Sequence, residues 1–129
     1  LMMSTMQPIT AGRNYEEHYH WLRSLTDTRS DLERKFIDFL YSTKRQLPDD
    51  AQKALADYQT IPDFFYNPNC CVFCDGSVHD EPGQRAKDEI IRNDLKNLGY
   101  RVIVIRYDQD LAAQIEKYSE IFGKGREDK

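Results

Sequence analysis

Two aspartates and a histidine stand close together in the stretch Ile61 to Asp80, which reads IPDFFYNPNCCVFCDGSVHD. Asp63 precedes one apolar run, and Asp75 and His79 close another. An Asn-Pro-Asn turn joins the runs, so they read as the arms of a β-hairpin. If the arms pair about Pro68, Asp63 lies opposite Phe73, and Asp75, two residues further on, is its diagonal neighbour on the same face. Carboxylates held this close repel unless a cation or a shared proton sits between them, so the arrangement points to a divalent-metal site. Register decides the matter, because a slip of one residue would send the two acids to opposite faces.

Cys70, Cys71 and Cys74 fall in the second arm. The gap between Cys71 and Cys74 has the form of a zinc half-site. Residues three apart in an extended strand face opposite ways, however, so these two thiols cannot both reach one ion. The spacing therefore predicts small buried thiols in a central strand. Their odd number, with no secretory leader, points to a reducing compartment.

The elements that must hold these residues can be read on either side. Residues 1–13 have no period and read as a loose lead-in, or the remnant of a preceding domain. The chain starts on Leu1 rather than Met, which suggests a piece cut from something longer. Tyr15, Tyr19, Leu22 and Leu25 repeat at helical spacing, with His18, His20 and Trp21 expected on an exposed helix edge or in an interdomain contact. Ser30-Asp31-Leu32-Glu33 has the form of a capping box opening a helix whose apolar face is Leu32, Phe36, Phe39 and Leu40. Leu47 to Thr60 is polar, with Pro48-Asp49-Asp50 as a helix-start signal and a weak helix or strand expected. Beyond the hairpin, Asp80-Glu81-Pro82 opens a helix ending at Gly99, with Ile90, Ile91, Leu95 and Leu98 inside. RVIVIRY, Arg101 to Tyr107, reads as a buried strand, and Asp108 to about Phe122 as one closing helix. A helix between the hairpin and RVIVIRY makes a right-handed crossover that returns the strand parallel to its predecessor. The expected fold is α/β, a mixed sheet flanked by helices. Residues 1–29 form the N-terminal lead-in and helix, residues 30–123 the main domain, and residues 124–129 a charged tail.

Composition limits the function classes. With 129 residues the chain fits one domain with a modest core, and 40% hydrophobic residues, including eight Tyr and six Phe, place it among globular proteins. A net charge of -4 does not invite nucleic acid, so phosphate contacts must come from a local basic patch or a larger assembly. No apolar run approaches the roughly 20 residues that span a bilayer, and a cytoplasmic protein without membrane contacts is expected. Arg85, Lys87, Arg92 and Lys96 are expected on one polar side of their helix, either as a solvated face or as a surface that tracks phosphates.

The block PDFFYNPNCCVFCDGSVHD, followed about twenty residues later by NLGYRVIVIRYD, resembles the PD-(D/E)XK nuclease superfamily, in particular the branch of the very short patch repair endonucleases. It is also similar to the C-terminal tails of large bacterial DEAD/DEAH-box helicases with a zinc-binding domain, a group that includes phage-defence proteins. There a segment like LERKFIDFLYSTKRQLPDDAQ precedes one like PDFFY. The resemblance covers roughly Leu32 to Asp110. It implies a restriction-endonuclease-like fold and a Mg²⁺- or Mn²⁺-dependent DNA endonuclease, with DNA and helicase domains of the same or a partner chain as partners.

Carried over residue by residue, the resemblance makes Asp63 and Asp75 metal ligands. It makes the Cys74 carbonyl a backbone oxygen of the metal shell and Glu33 a helix-borne acid that helps hold the ion. His79 becomes the acid-base residue. Ser77 stands where the motif lysine belongs, so Lys87 or Arg85 would have to supply the positive charge. That departure supports an alternative, a catalytically degenerate module that guides DNA or binds its helicase. Each residue also has a plainer role: Asp63 as a strand start, Asp75-Gly76 as a turn, Glu33 as the capping-box acid.

Overall fold

In a computed structural model of the chain, the described residues are 12–55 and 60–125. Residues 1–11 of the expected lead-in, residues 56–59 of the polar segment and residues 126–129 of the charged tail lie outside them.

The architecture is α/β. Helices α1 (Tyr15–Ser24) and α2 (Asp31–Ser42) lead into short strands β1 (Asp50–Ala51) and β2 (Phe64–Tyr66), then β3 (Cys70–Asp75). A 3-10 turn, Ser77–Asp80, introduces helix α3 (Pro82–Asn97), and β4 (Arg101–Arg106), α4 (Leu111–Lys117) and α5 (Ser119–Phe122) complete the chain. The sheet order is β1-β2-β3-β4, with the first two pairings antiparallel and β3–β4 parallel. The crossover through α3 accounts for that parallel pair, because a tight turn cannot return a strand in its own direction.

The hairpin has the register expected from its turn. Phe64 pairs with Val72, Phe65 with Cys71 and Tyr66 with Cys70 across a cis Asn67–Pro68 bond. Strand alternation then sorts β3. Cys70, Val72 and Cys74 face the larger core with Phe36, Leu40 and Phe122, while Cys71 and Phe73 face a smaller core with Phe65 and Leu95. All three cysteines are buried free thiols, and Cys71 and Cys74 do lie in different cores. Burial pushes each thiol up, Cys70 to about 11 and Cys71 to about 12, so none is a ready thiolate.

Several local expectations are corrected. Of the weak helix or strand expected after Leu47, the described residues form the strand, and Pro48-Asp49-Asp50 starts no helix. Asp49 N–H donates to Phe65 O at 2.9 Å, and Gln52 N–H donates to Asp63 O at 3.0 Å, so the segment runs along β2 as edge strand β1. Within α3 only Leu95 is fully buried. Ile90 and Leu98 are 63% and 64% exposed, because the smaller core is narrow and takes one stripe of the helix. The closing helix is two helices, broken at Tyr118. His18 is buried rather than exposed: its Nε2 lies 2.7 Å from Pro48 O, and its ring stacks on Trp21. Asn14, not anticipated as a cap, closes a capping box with Glu17 and fixes the start of α1.

Candidate metal and acid-base site

An open cleft of about 710 Å³ lies at the C-terminal end of β3, lined among others by Glu33, Asp63, Cys74, Asp75, His79, Asp88 and Arg92. Four elements meet there. The start of α2 supplies Glu33, the residue before β2 supplies Asp63, and the end of β3 supplies Asp75. The 3-10 turn and α3 bring His79, Asp88 and Arg92.

Each predicted acid has its charge answered. Asp63 Oδ2 accepts from the Cys74 N–H at 2.7 Å, beyond the last ladder pair of the hairpin. Its other neighbour is Glu33. Burial, and then the charge of Asp63, push the Glu33 carboxyl up to about 7, so near neutral pH Glu33 keeps a proton and donates it to Asp63. Burial also raises Asp63, against the hydrogen bonds from Cys74, Glu33 and Gln52, and the nearby Asp75 carboxylate raises it further. The shared proton therefore lies between Glu33 and Asp63, not between Asp63 and Asp75 as the hairpin spacing suggested. Asp75, only 3% exposed, is answered by a cation: the Arg92 guanidinium grips both its oxygens at 2.7 Å, and lies over the Phe73 ring at 4.6 Å.

Glu33 is not the acid of a capping box. Ser30 Oγ does accept from Glu33 N–H, but Ser30 N–H donates to Asp27 O. The buried Glu33 side chain turns into the cleft instead, where its Oε1 accepts from Asp27 N–H and Gln52 Nε2, each at 3.1 Å. Gln52 reaches it from a left-handed backbone position with φ 55°.

His79 projects from the 3-10 turn, which Asp80 anchors by accepting from Arg106 at 2.7 Å and from Tyr107 Oη at 2.8 Å. Its Nδ1 lies 2.6 Å from Asp88 Oδ2 and 3.8 Å from Asp75 Oδ1. Burial opposes ionisation of Asp88, yet hydrogen bonds to His79 and Gln84 outweigh it and hold its carboxyl below the usual carboxylate value. Asp75, His79 and Asp88 offer three ligand atoms within 4.8 Å of one another, so this group could hold a metal ion. Asp75 belongs to both acidic groups.

The basic residues divide differently from expectation. At about 100° per residue, Lys87 sits roughly 200° around α3 from Arg85, so the four cations do not share one side. Arg85, Arg92 and Lys96 line a second, adjoining cleft with Asp75 and Arg106, whereas Lys87 is exposed and lines neither cleft. Arg92 and Asp88 are the site residues that sequence reading missed or misassigned. Both fall on the side of α3 that carries Leu95, at spacings of three and seven residues, and that periodicity was the available signal. Among the described residues, no helix is long and apolar enough to cross a membrane.

No protein-family model matches the chain, and no curated protein or solved structure matches it, so the site stands on its geometry.

Proposed function

We propose that the cleft is the active site of a metal-dependent DNA endonuclease, acting as a module beside a helicase motor in defence against phage or other foreign DNA. The observation that carries this reading is the convergence of Glu33, Asp63 and Asp75 on one open cleft, with a shared proton and an arginine holding their charge in check. Hard carboxylate oxygens suit Mg²⁺ or Mn²⁺. Asp63, Asp75 and Glu33, with the backbone oxygen of Cys74, would hold the ion, which when bound supplies an activated water and relieves charge on the scissile phosphate.

The chain's own residues account for the rest. Cys74 N–H braces Asp63, so its carboxylate stays at the mouth of the hairpin. With Nδ1 engaged by Asp88, His79 has Nε2 left to accept a proton from water or return one to the departing oxygen. Arg92 takes the electrostatic role first assigned to Lys87 or Arg85, because it lines the cleft and they do not. Arg85 and Lys96, exposed in the adjoining cleft, offer charge along the path of a phosphate backbone.

A second placement of the ion, on Asp75, His79 and Asp88, is favoured by the closeness of their ligand atoms. That mixed oxygen and nitrogen set suits Mn²⁺ and later transition metals better than Mg²⁺. The degenerate-module alternative draws on Ser77 in the place of the lysine and on the net negative charge. Cleavage of single- and double-stranded DNA with Mg²⁺ and Mn²⁺ separates them. Metal-dependent cutting by the wild type that falls about 100-fold or more in Asp63→Asn and in His79→Ala is expected. Absence of cutting on every substrate would leave the module reading.

A further inference from the structure

We infer that Asp88 is the positioning residue of His79: its carboxylate takes the proton-bearing Nδ1, fixes the ring, and leaves Nε2 as the nitrogen that works in the cleft. The inference deepens the nuclease reading and rests on it for its effect on rate.

The geometry carries the assignment. Gln84 and Asp88 lie one turn apart on α3 and therefore on the same face. Gln84 Nε2 donates to Asp88 Oδ1 at 2.8 Å, while His79 Nδ1 lies 2.6 Å from Oδ2, so each carboxylate oxygen has its own partner. The Asp88 side chain is 14% exposed and that of His79 is 26% exposed, which limits how far water can substitute for either bond. Position and orientation of the imidazole come from different elements. The 3-10 turn that carries it is tied to the end of β4 through Asp80, Arg106 and Tyr107, and the ring is then oriented from α3.

A carboxylate only accepts, so the nitrogen facing it must bear hydrogen. An amide in its place behaves differently. With its oxygen occupied by Gln84, an asparagine would turn its NH₂ toward Nδ1 and require a bare nitrogen there, which moves the ring proton to Nε2. The groups facing the ring are Asp75 Oδ1, 3.8 Å from Nδ1, and beyond it Arg92, which already neutralises Asp75. Asp88 is thus the partner in direct hydrogen-bonding contact with Nδ1.

The test is a long-range ¹H–¹⁵N correlation spectrum of the imidazoles in the full metal-free chain, at mildly alkaline pH. Three histidines make assignment direct, with His79→Gln identifying the signal. The wild type is expected to show hydrogen on Nδ1 and a bare Nε2, and Asp88→Asn the reverse. In the cleavage assay Asp88→Asn should lower kcat about 100-fold, with KM for DNA and the affinity for Mn²⁺ little changed. A wild-type ring protonated on Nε2 overturns the inference, even if the variant does not fold. So does an Asp88→Asn chain with unchanged tautomer and rate, or one whose loss of rate follows a loss of Mn²⁺ affinity, since Asp88 would then be a ligand. A wild type that cuts no DNA but shows the two tautomers refutes the nuclease reading and leaves the role of Asp88 supported.

Discussion

Replacing Arg92 by leucine isolates the electrostatic cost of the site. Asp75 and Arg92 have side chains 5% and 14% exposed, joined by two hydrogen bonds of 2.7 Å. Removing one member of a buried pair strands the other charge, at a typical cost of about 3–5 kcal/mol. Leucine preserves part of the packing on Phe73, and the remaining exposure of the pair lets water reach Asp75, so the lower end, about 3 kcal/mol, is the expected loss. For a chain of this length that corresponds to a fall in Tm of about 11 °C. Thermal and urea unfolding of the metal-free protein measure it. The double variant Asp75→Asn with Arg92→Leu should recover roughly half the loss, because no stranded charge remains. Saturating Mn²⁺ should raise the Tm of Arg92→Leu more than that of the wild type, since the ion replaces the missing cation. An Arg92→Leu chain within about 1 kcal/mol of wild type, or a double variant no better than the single one, would refute the claim that this pair neutralises the site.

The other predictions follow from the same structure. Glu33 carries a folded-state pKa of about 7 against 4.5 when unfolded, so its contribution to stability is fully present below pH 4.5 and is lost as pH rises through 7. Relative to wild type, Glu33→Gln should therefore gain about 3 kcal/mol between pH 4.5 and pH 8 in metal-free denaturant titrations, and a pH-independent difference would exclude the shared proton. Leu95→Ala should cost about 2–5 kcal/mol, as the only fully buried side chain of α3, whereas Ile90→Ser, at a site 63% exposed, should leave Tm nearly unchanged. Arg106→Ala removes one anchor of Asp80, and amide exchange at His79 and Glu81, whose N–H groups close the 3-10 turn, should accelerate with little change in global stability.

The order of elements was legible because hydrophobic period and punctuation agreed. Pro82 and Gly99 bracket α3, and the Asn-Pro-Asn turn fixed a register that placed Asp63 beside the end of β3. What sequence could not show was which neutraliser each acid would find. Asp63 met a proton held by Glu33, and Asp75 met Arg92, because those choices depend on how α2 and α3 pack against the sheet. The Ser30–Glu33 motif misled in one half only: Ser30 still caps α2, but the Glu33 side chain is taken by tertiary partners, Gln52 and Asp63, available only in the fold. The only signal for Asp88 was its spacing of seven residues from the buried Leu95 on α3, which places it on the inner side of the helix without naming a role. Only the fold of the 3-10 turn puts His79 against it.

Calorimetric titration with Mn²⁺ and Mg²⁺ of the wild type, Asp63→Asn and His79→Ala tests the central claim most directly, because it reads the metal site without requiring the correct DNA. The account predicts saturable binding to the wild type with release of protons near neutral pH, as the ion displaces the one Glu33 shares with Asp63. It predicts that binding is lost in Asp63→Asn and retained in His79→Ala. Binding lost in His79→Ala but kept in Asp63→Asn would move the ion to Asp75, His79 and Asp88. A folded wild type that binds neither metal would contradict the account.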